Sequence, residues 1–140
     1  MIRTRHSHKV QYYETDKMGI VHHSNYVRWM EEARVDFFAK VGWPYEKLEE
    51  IGFVSPVVAV ECRYRHPSRF GDEVTVDVTL EEYKGARIRF HYTMHNQNGD
   101  LVCEAESEHC VLGESGRPVR LSRAFPAFSA DLDRLFADAE

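Results

Sequence analysis

The sequence predicts one α+β domain, an antiparallel sheet with a single long helix against it, and two periodicities carry that prediction. Apolar residues at Tyr26, Trp29, Met30, Ala33, Phe37 and Val41 recur at spacings of three and four, one face of an amphipathic helix. Beyond Phe53 the period falls to two, and turn chemistry at Phe70-Gly71-Asp72, Lys84-Gly85 and Asn98-Gly99-Asp100 cuts the alternating run into strands. Consecutive hairpins build an antiparallel sheet, and the one long apolar helix stripe must cover a face of it.

The elements follow in order. A short strand is expected around Lys9 to Tyr13, then a glycine-containing loop, then the long helix, with Ser24 or Asn25 capping its start and Gly42 with Pro44 ending it. A second helix runs from Tyr45 to Glu50, stopped by Gly52. Three long half-buried strands carry Val58, Val60, Cys62 and Tyr64, then Val74, Val76, Val78 and Leu80, then Ile88, Phe90, Tyr92 and Met94. A last strand carries Leu101, Cys103, Ala105, Ser107 and Val111. Arg117 to Arg123 is read as an added edge segment, and Ala127 to Ala139 as a terminal helix capped by Ser129.

Composition narrows the function. The 140 residues hold no repeat and no linker, so residues 1–140 are read as one domain. With 18 Lys and Arg against 23 Asp and Glu, the net charge of −5 argues against nucleic acid as a partner. Arg3, Arg5, His6 and Lys9 are followed by no apolar run, so neither a secretory signal nor stable membrane insertion is expected, and the location expected is the cytoplasm. Cys62, Cys103 and Cys110 lack paired metal-ligand spacing and are read as reduced core thiols.

The chemistry concentrates in Tyr12 to Tyr26. Here Asp16 sits in a glycine loop just ahead of the main helix, whose free N–H groups and dipole favour negative charge. A carbonyl oxygen aimed at that helix end would be polarised as it became an oxyanion, with Asp16 beside it. In isolation Asp16 would read as a helix-flanking turn residue. His22 and His23 are neighbours at a helix entrance without a convincing third ligand, so no metal is expected. Trp29, Phe37 and Phe38 read as core, Tyr12 equally as a strand-end core residue or a site residue, and Glu31 with Arg34 as a structural helix pair.

In Tyr12, Thr15-Asp16, Gly19, Val21, His23 and Tyr26, followed by Glu31, Ala33 and Arg34, the sequence resembles hotdog-fold acyl-CoA thioesterases of the 4-hydroxybenzoyl-CoA thioesterase type, including those associated with the Tol-Pal system. The resemblance spans roughly His8 to Gly113. It implies a sheet wrapped around the long helix, Asp16 as catalytic carboxylate, and the His23 backbone N–H as donor to the thioester carbonyl. Gly19 and Val21 match loop positions beside the substrate, and Tyr12 and the His23 ring match site-lining positions in the Tol-Pal-associated members. His22 departs from a position often aromatic. The resemblance further implies an acyl-CoA substrate, no cofactor, and a homodimer or homotetramer with sites at the interface. CoA phosphates require cations, for which Lys84, Arg87 and Arg89 are the first candidates and Arg65, His66 and Arg69 the second. Asp16 could attack the thioester or activate water. A noncatalytic acyl-CoA sensor and a hotdog dehydratase or hydratase are the rival readings.

Overall fold

The computed structural model describes residues 1–139. Strand β1 (Ile2–Lys9) leads through a 3-10 turn (Tyr12–Glu14) to helices α1 (Ser24–Lys40) and α2 (Tyr45–Glu50). Strands β2 (Val57–Tyr64), β3 (Glu73–Glu82), β4 (Arg87–His95) and β5 (Leu101–Cys110) follow, and helices α3 (Leu121–Ala124) and α4 (Pro126–Ala139) end the chain. All strand pairs are antiparallel, in the order β1-β3-β4-β5-β2. This is the two-layer α+β arrangement the periodicity predicts.

The core lies between α1 and the inward rows of the sheet. Trp29, Met30, Ala33 and Phe37 of α1 are fully buried, as are Val74, Val76 and Val78 of β3 and Met94 and Tyr92 of β4. Rings interlock across the layers, with Phe37 at 5.2 Å and Phe38 at 5.9 Å from Phe90. Helix α4 closes the far end by packing Phe128 against Trp43 and Phe53, while the Trp43 indole donates to Asp131 at 2.8 Å. Deleting a buried ring from such a cluster costs about 3–5 kcal/mol.

Several expectations change. The first strand is Ile2–Lys9 rather than Lys9 to Tyr13, because its inward row, Thr4, His6 and His8, meets the polar flank of α1 instead of an apolar core. Ser24 and Asn25 lie inside α1, and His23 takes the cap position without a side-chain bond. Ser129 is likewise inside α4 and buried. Arg117 to Arg123 forms an isolated bridge between Pro118 and Leu112 and then turns into α3, not an edge strand. A bulge after Met94 brings Val102 into the core and leaves Leu101 half-buried.

The largest departure is β2. Its apolar row faces the side predicted, yet Val58 is 61%, Val60 42% and Tyr64 48% exposed, because α1 covers it only at the far end, through Met30 on Cys62 and Tyr26 on Tyr64. Its one strand neighbour is β5, and its other edge carries unpaired backbone groups. Among the described residues no helix is long and apolar enough to cross a membrane.

Candidate active site

Asp16 is held by a compact turn between the 3-10 turn and α1. Its N–H donates to Ile20 C=O at 2.9 Å, its own carbonyl accepts from Gly19 N–H at 3.0 Å, and Oδ1 accepts from Met18 N–H at 2.8 Å. Gly19 has φ +77°, a left-handed conformation that a side chain disfavours, and this is why the reversal falls on glycine. Thr15 and Val21 pair as the turn closes, and Val21 N–H is tied to Ser68 C=O at 2.8 Å. The second carboxylate oxygen of Asp16 makes no hydrogen bond among the described residues.

Beneath the turn lies a residue the sequence reading passed over. Glu14 is 4% exposed and accepts from Gln11 N–H at 2.8 Å, the His8 ring at 2.8 Å and the Trp29 indole N–H at 2.7 Å. Burial pushes its carboxyl up, but the hydrogen bonds from Gln11, His8 and Trp29 outweigh that and hold it below its ordinary value. Its backbone carbonyl in turn accepts from His22 N–H at 2.9 Å and the Asn25 side chain at 3.0 Å. One residue thus fastens β1, the Asp16 turn and the start of α1 to each other. The opposite nitrogen of His8 faces Glu32 at 2.9 Å, so carboxylates flank the ring on both sides.

The first free donor of α1 is the His23 N–H, which has no intramolecular acceptor among the described residues, whereas Ser24 N–H is taken by the His22 ring at 3.2 Å. Asp16, Val21, His23, Tyr26, Tyr64 and Arg65 border one open groove of about 420 Å³. Its floor is fixed by the Tyr26 hydroxyl, which donates to Ser68 Oγ at 3.2 Å, and its rim by Arg65 and His66, whose N–H groups both reach the carbonyl of the bulge residue Val102.

Other candidates fall elsewhere. Tyr12 is 75% exposed and stacks at 5.7 Å on Phe70, outside the groove wall, so it is neither core nor in contact with that space. Lys84, Arg87 and Arg89 sit at the end of β3 and start of β4, roughly a ten-residue strand away from the Asp16 turn, about 30 Å. Arg89 is also engaged by Glu81 and Glu82. Of the basic residues it is Arg65 and His66 that reach the groove, Arg65 paired with Glu104 at 3.0 Å. Glu31 and Arg34 make no ion pair within 4.0 Å.

The family described as thioesterase-like superfamily matches residues 10–134. The chain is 39% identical over 119 residues to the putative acyl-CoA thioesterase YneP of Bacillus subtilis, covering 84% of this chain and 86% of that protein. It is 29% identical over 100 residues to the acyl-CoA thioester hydrolase YbgC of Escherichia coli O157:H7, 70% of this chain and 73% of that one. Its fold superposes on the crystal structure of a DHNA-CoA thioesterase from Staphylococcus aureus with a TM-score of 0.91 at 31% identity, covering 98% of this chain and 93% of that chain. With most of its length matched, and the Asp16 turn and helix start inside the match, the chain belongs to the thioesterase-like superfamily of hotdog proteins.

Proposed function

We propose that this thioester hydrolase cleaves acyl-CoA into free CoA and a carboxylate, with Asp16 as the acting carboxylate and the His23 backbone N–H as the donor to the thioester oxygen. The observation that supports it most is that one groove is bordered by both Asp16 and His23, the residue at the start of α1 whose N–H has no acceptor among the described residues. A thioester laid there has its carbonyl oxygen at a helix N-terminus, where developing negative charge is stabilised before the reaction begins. Asp16 then either adds to the carbonyl carbon, expelling the CoA thiolate and leaving an anhydride that water opens, or takes a proton from the water that attacks. Both routes consume one water and release one thiol and one carboxylic acid. Single turnover in ¹⁸O-water separates them, because opening the anhydride at the Asp16 carbonyl leaves label in the enzyme.

Arg65, His66 and the exposed Arg69 are the cations we assign to the CoA phosphates within one protomer. Lys84, Arg87 and Arg89 stay in that role only if an assembly brings them from another protomer. The exposed apolar row and open edge of β2 support a homodimer joined there, since pairing two such edges across a two-fold axis satisfies both strands at once.

The test is thiol release from an acyl-CoA panel by wild type and Asp16→Asn. Turnover is expected to fall by at least about a hundredfold, as for loss of a principal catalytic group, with folding retained because Asn keeps the acceptor for Met18 N–H. Near-normal turnover by the variant removes Asp16 from the mechanism. Binding without hydrolysis by wild type on every thioester favours the sensor reading.

A further inference from the structure

On the β2 flank of α1 a buried cation borders a second, smaller space. Arg34 is 7% exposed, yet among the described residues no carboxylate lies within ion-pair distance of it. One N–H is used, Nη1 donating to the Tyr92 hydroxyl at 3.0 Å. No nitrogen of the guanidinium is both buried against protein and unbonded, and Arg34 lines a cavity that could take its remaining donors. That cavity is about 220 Å³, walled by Phe38, Phe90, Pro56 and Val57, with Glu31 and Tyr45 also bordering it.

Behind Arg34 none of the described residues supplies an anion. The Tyr92 hydroxyl meets Ser107 Oγ at 2.5 Å, Ser107 meets His109 Nε2 at 2.9 Å, and His109 Nδ1 reaches Ser55 C=O at 3.2 Å. Read from the guanidinium, which can only donate, each group donates to the next and the chain ends on a carbonyl. This order requires an imidazole that accepts at Nε2, hence a neutral one. Burial, reinforced by the Arg34 charge, pushes His109 down to about 4 and keeps it neutral. A buried guanidinium with a satisfied neutral network behind it and a space of mixed apolar and polar lining before it is complementary to a carboxylate, which the planar fork meets with two parallel bonds. Glu31 opposes an anion, but it is exposed and screened by water, whereas Arg34 acts from low dielectric.

We propose that this cavity receives the distal end of an acyl group terminating in a carboxylate, with Arg34 as its anchor, so that CoA monothioesters of dicarboxylic acids are the favoured substrates. The inference rests on the acyl-CoA hydrolase reading above. The cavity lies at the Val57 end of β2 and the Asp16 groove at the Tyr64 end, about 23 Å apart along one strand, which only a very long chain spans within one protomer. Antiparallel pairing of β2 with its copy lays the Val57 end of one protomer across the Tyr64 end of the other. A substrate of moderate length then enters at one Asp16 and ends in the other protomer's cavity.

The test measures kcat/KM for two matched series of CoA thioesters, short to long, one ending in carboxylate and one in methyl. Wild type is expected to favour the carboxylate by about tenfold or more at one chain length, the range of a charge-assisted pair. Arg34→Met brings that ratio to about one or below, Arg34→Lys leaves it intermediate, and Glu31→Gln raises it. Each variant is first checked by circular dichroism and melting; should Arg34→Met not fold, the exposed Glu31→Gln decides, and an unchanged ratio overturns the anchor. Wild type that hydrolyses the methyl series with no carboxylate preference at any length overturns the cavity assignment alone. Wild type that hydrolyses neither series overturns the hydrolase reading beneath it.

Discussion

Glu14→Gln tests whether one buried carboxylate holds the Asp16 turn, and its cost can be worked from the contacts. Oε1 accepts from Gln11 N–H and His8 Nε2, both at 2.8 Å, and Oε2 accepts from the Trp29 indole at 2.7 Å. Glutamine has one acceptor oxygen and one NH2. Its best placement keeps the oxygen toward Gln11 and His8 and turns the NH2 onto the Trp29 N–H, donor against donor. The unsatisfied buried indole costs about 1–3 kcal/mol, and the two surviving bonds lose their charge assistance, about another 1 kcal/mol. The expected loss is therefore about 2–4 kcal/mol, seen as a lower urea midpoint at constant m and a Tm lowered by roughly 6–15 °C. Trp29→Phe, which removes the same donor, should recover part of the loss when combined with Glu14→Gln, a coupling a double-mutant cycle reads directly. Because His22 and Asn25 hang from the Glu14 carbonyl, kcat should fall in the folded variant more than KM rises. A change in stability below about 0.5 kcal/mol would refute the clamp, since surface substitutions cost no more than that.

Acid should destabilise the domain through His109: its folded value of about 4 lies below the ordinary 6.5, so between those pH values the unfolded chain takes up a proton that the native state refuses. Stability falls as pH drops through that window, by about 3 kcal/mol at most, and denaturant titrations of His109→Gln should show a shallower acid slope; parallel slopes would remove His109 as the cause. Gly19→Ala adds a Cβ that meets nothing within 4 Å, so its cost is the left-handed backbone alone, about 1 kcal/mol by chemical denaturation, with a larger proportional loss of turnover if Asp16 shifts. Val60→Lys places a charge on the open row of β2 and should turn the proposed homodimer into monomer in sedimentation velocity; wild type that sediments as a monomer would discard the β2 interface.

The parts of the fold that were legible are those whose periodicity arises from this chain's own core. Val74, Val76, Val78 and Leu80 alternate because α1 covers them, and Trp29, Met30, Ala33 and Phe37 repeat because the sheet covers them in return. β1 hid because its inward residues are paired with Glu32 and Asp36 rather than with apolar side chains, so its pattern is polar on both faces. Glu14 hid for a similar reason: an acidic residue between a tyrosine and a threonine looks like loop, and only the fold brings His8 and Trp29 onto its oxygens. Ser107 did leave a signal, a polar residue in the row reserved for core, and the hydrogen-bonded chain from Arg34 to Ser55 is what that irregularity marked. The Asp16 turn was legible because its geometry is local. Which of the two basic clusters lies near that turn was not, because the end of a sheet a cluster reaches depends on strand order: Lys84 and Arg65 look equivalent in the sequence and lie at opposite ends of the sheet.

On the reading proposed above, helix α1 carries three separate duties on three parts of its surface, which would make substrate choice separable from chemistry. Its N-terminal cap residue His23 shares a groove with Asp16. One flank, through Glu32 and Asp36, meets the histidines of β1 and so shares in holding the turn. The other flank, through Glu31, Arg34 and Phe38, lines the small cavity. Arg34 lies about three helical turns, some 16 Å, from the helix start, too far for a substitution there to alter the field at the thioester carbonyl appreciably once solvent screening is counted. Substitutions on the cavity flank should therefore redistribute kcat/KM among acyl groups while the preferred one still turns over at the wild-type rate. Substitutions on the Glu14 side should lower kcat for all of them alike.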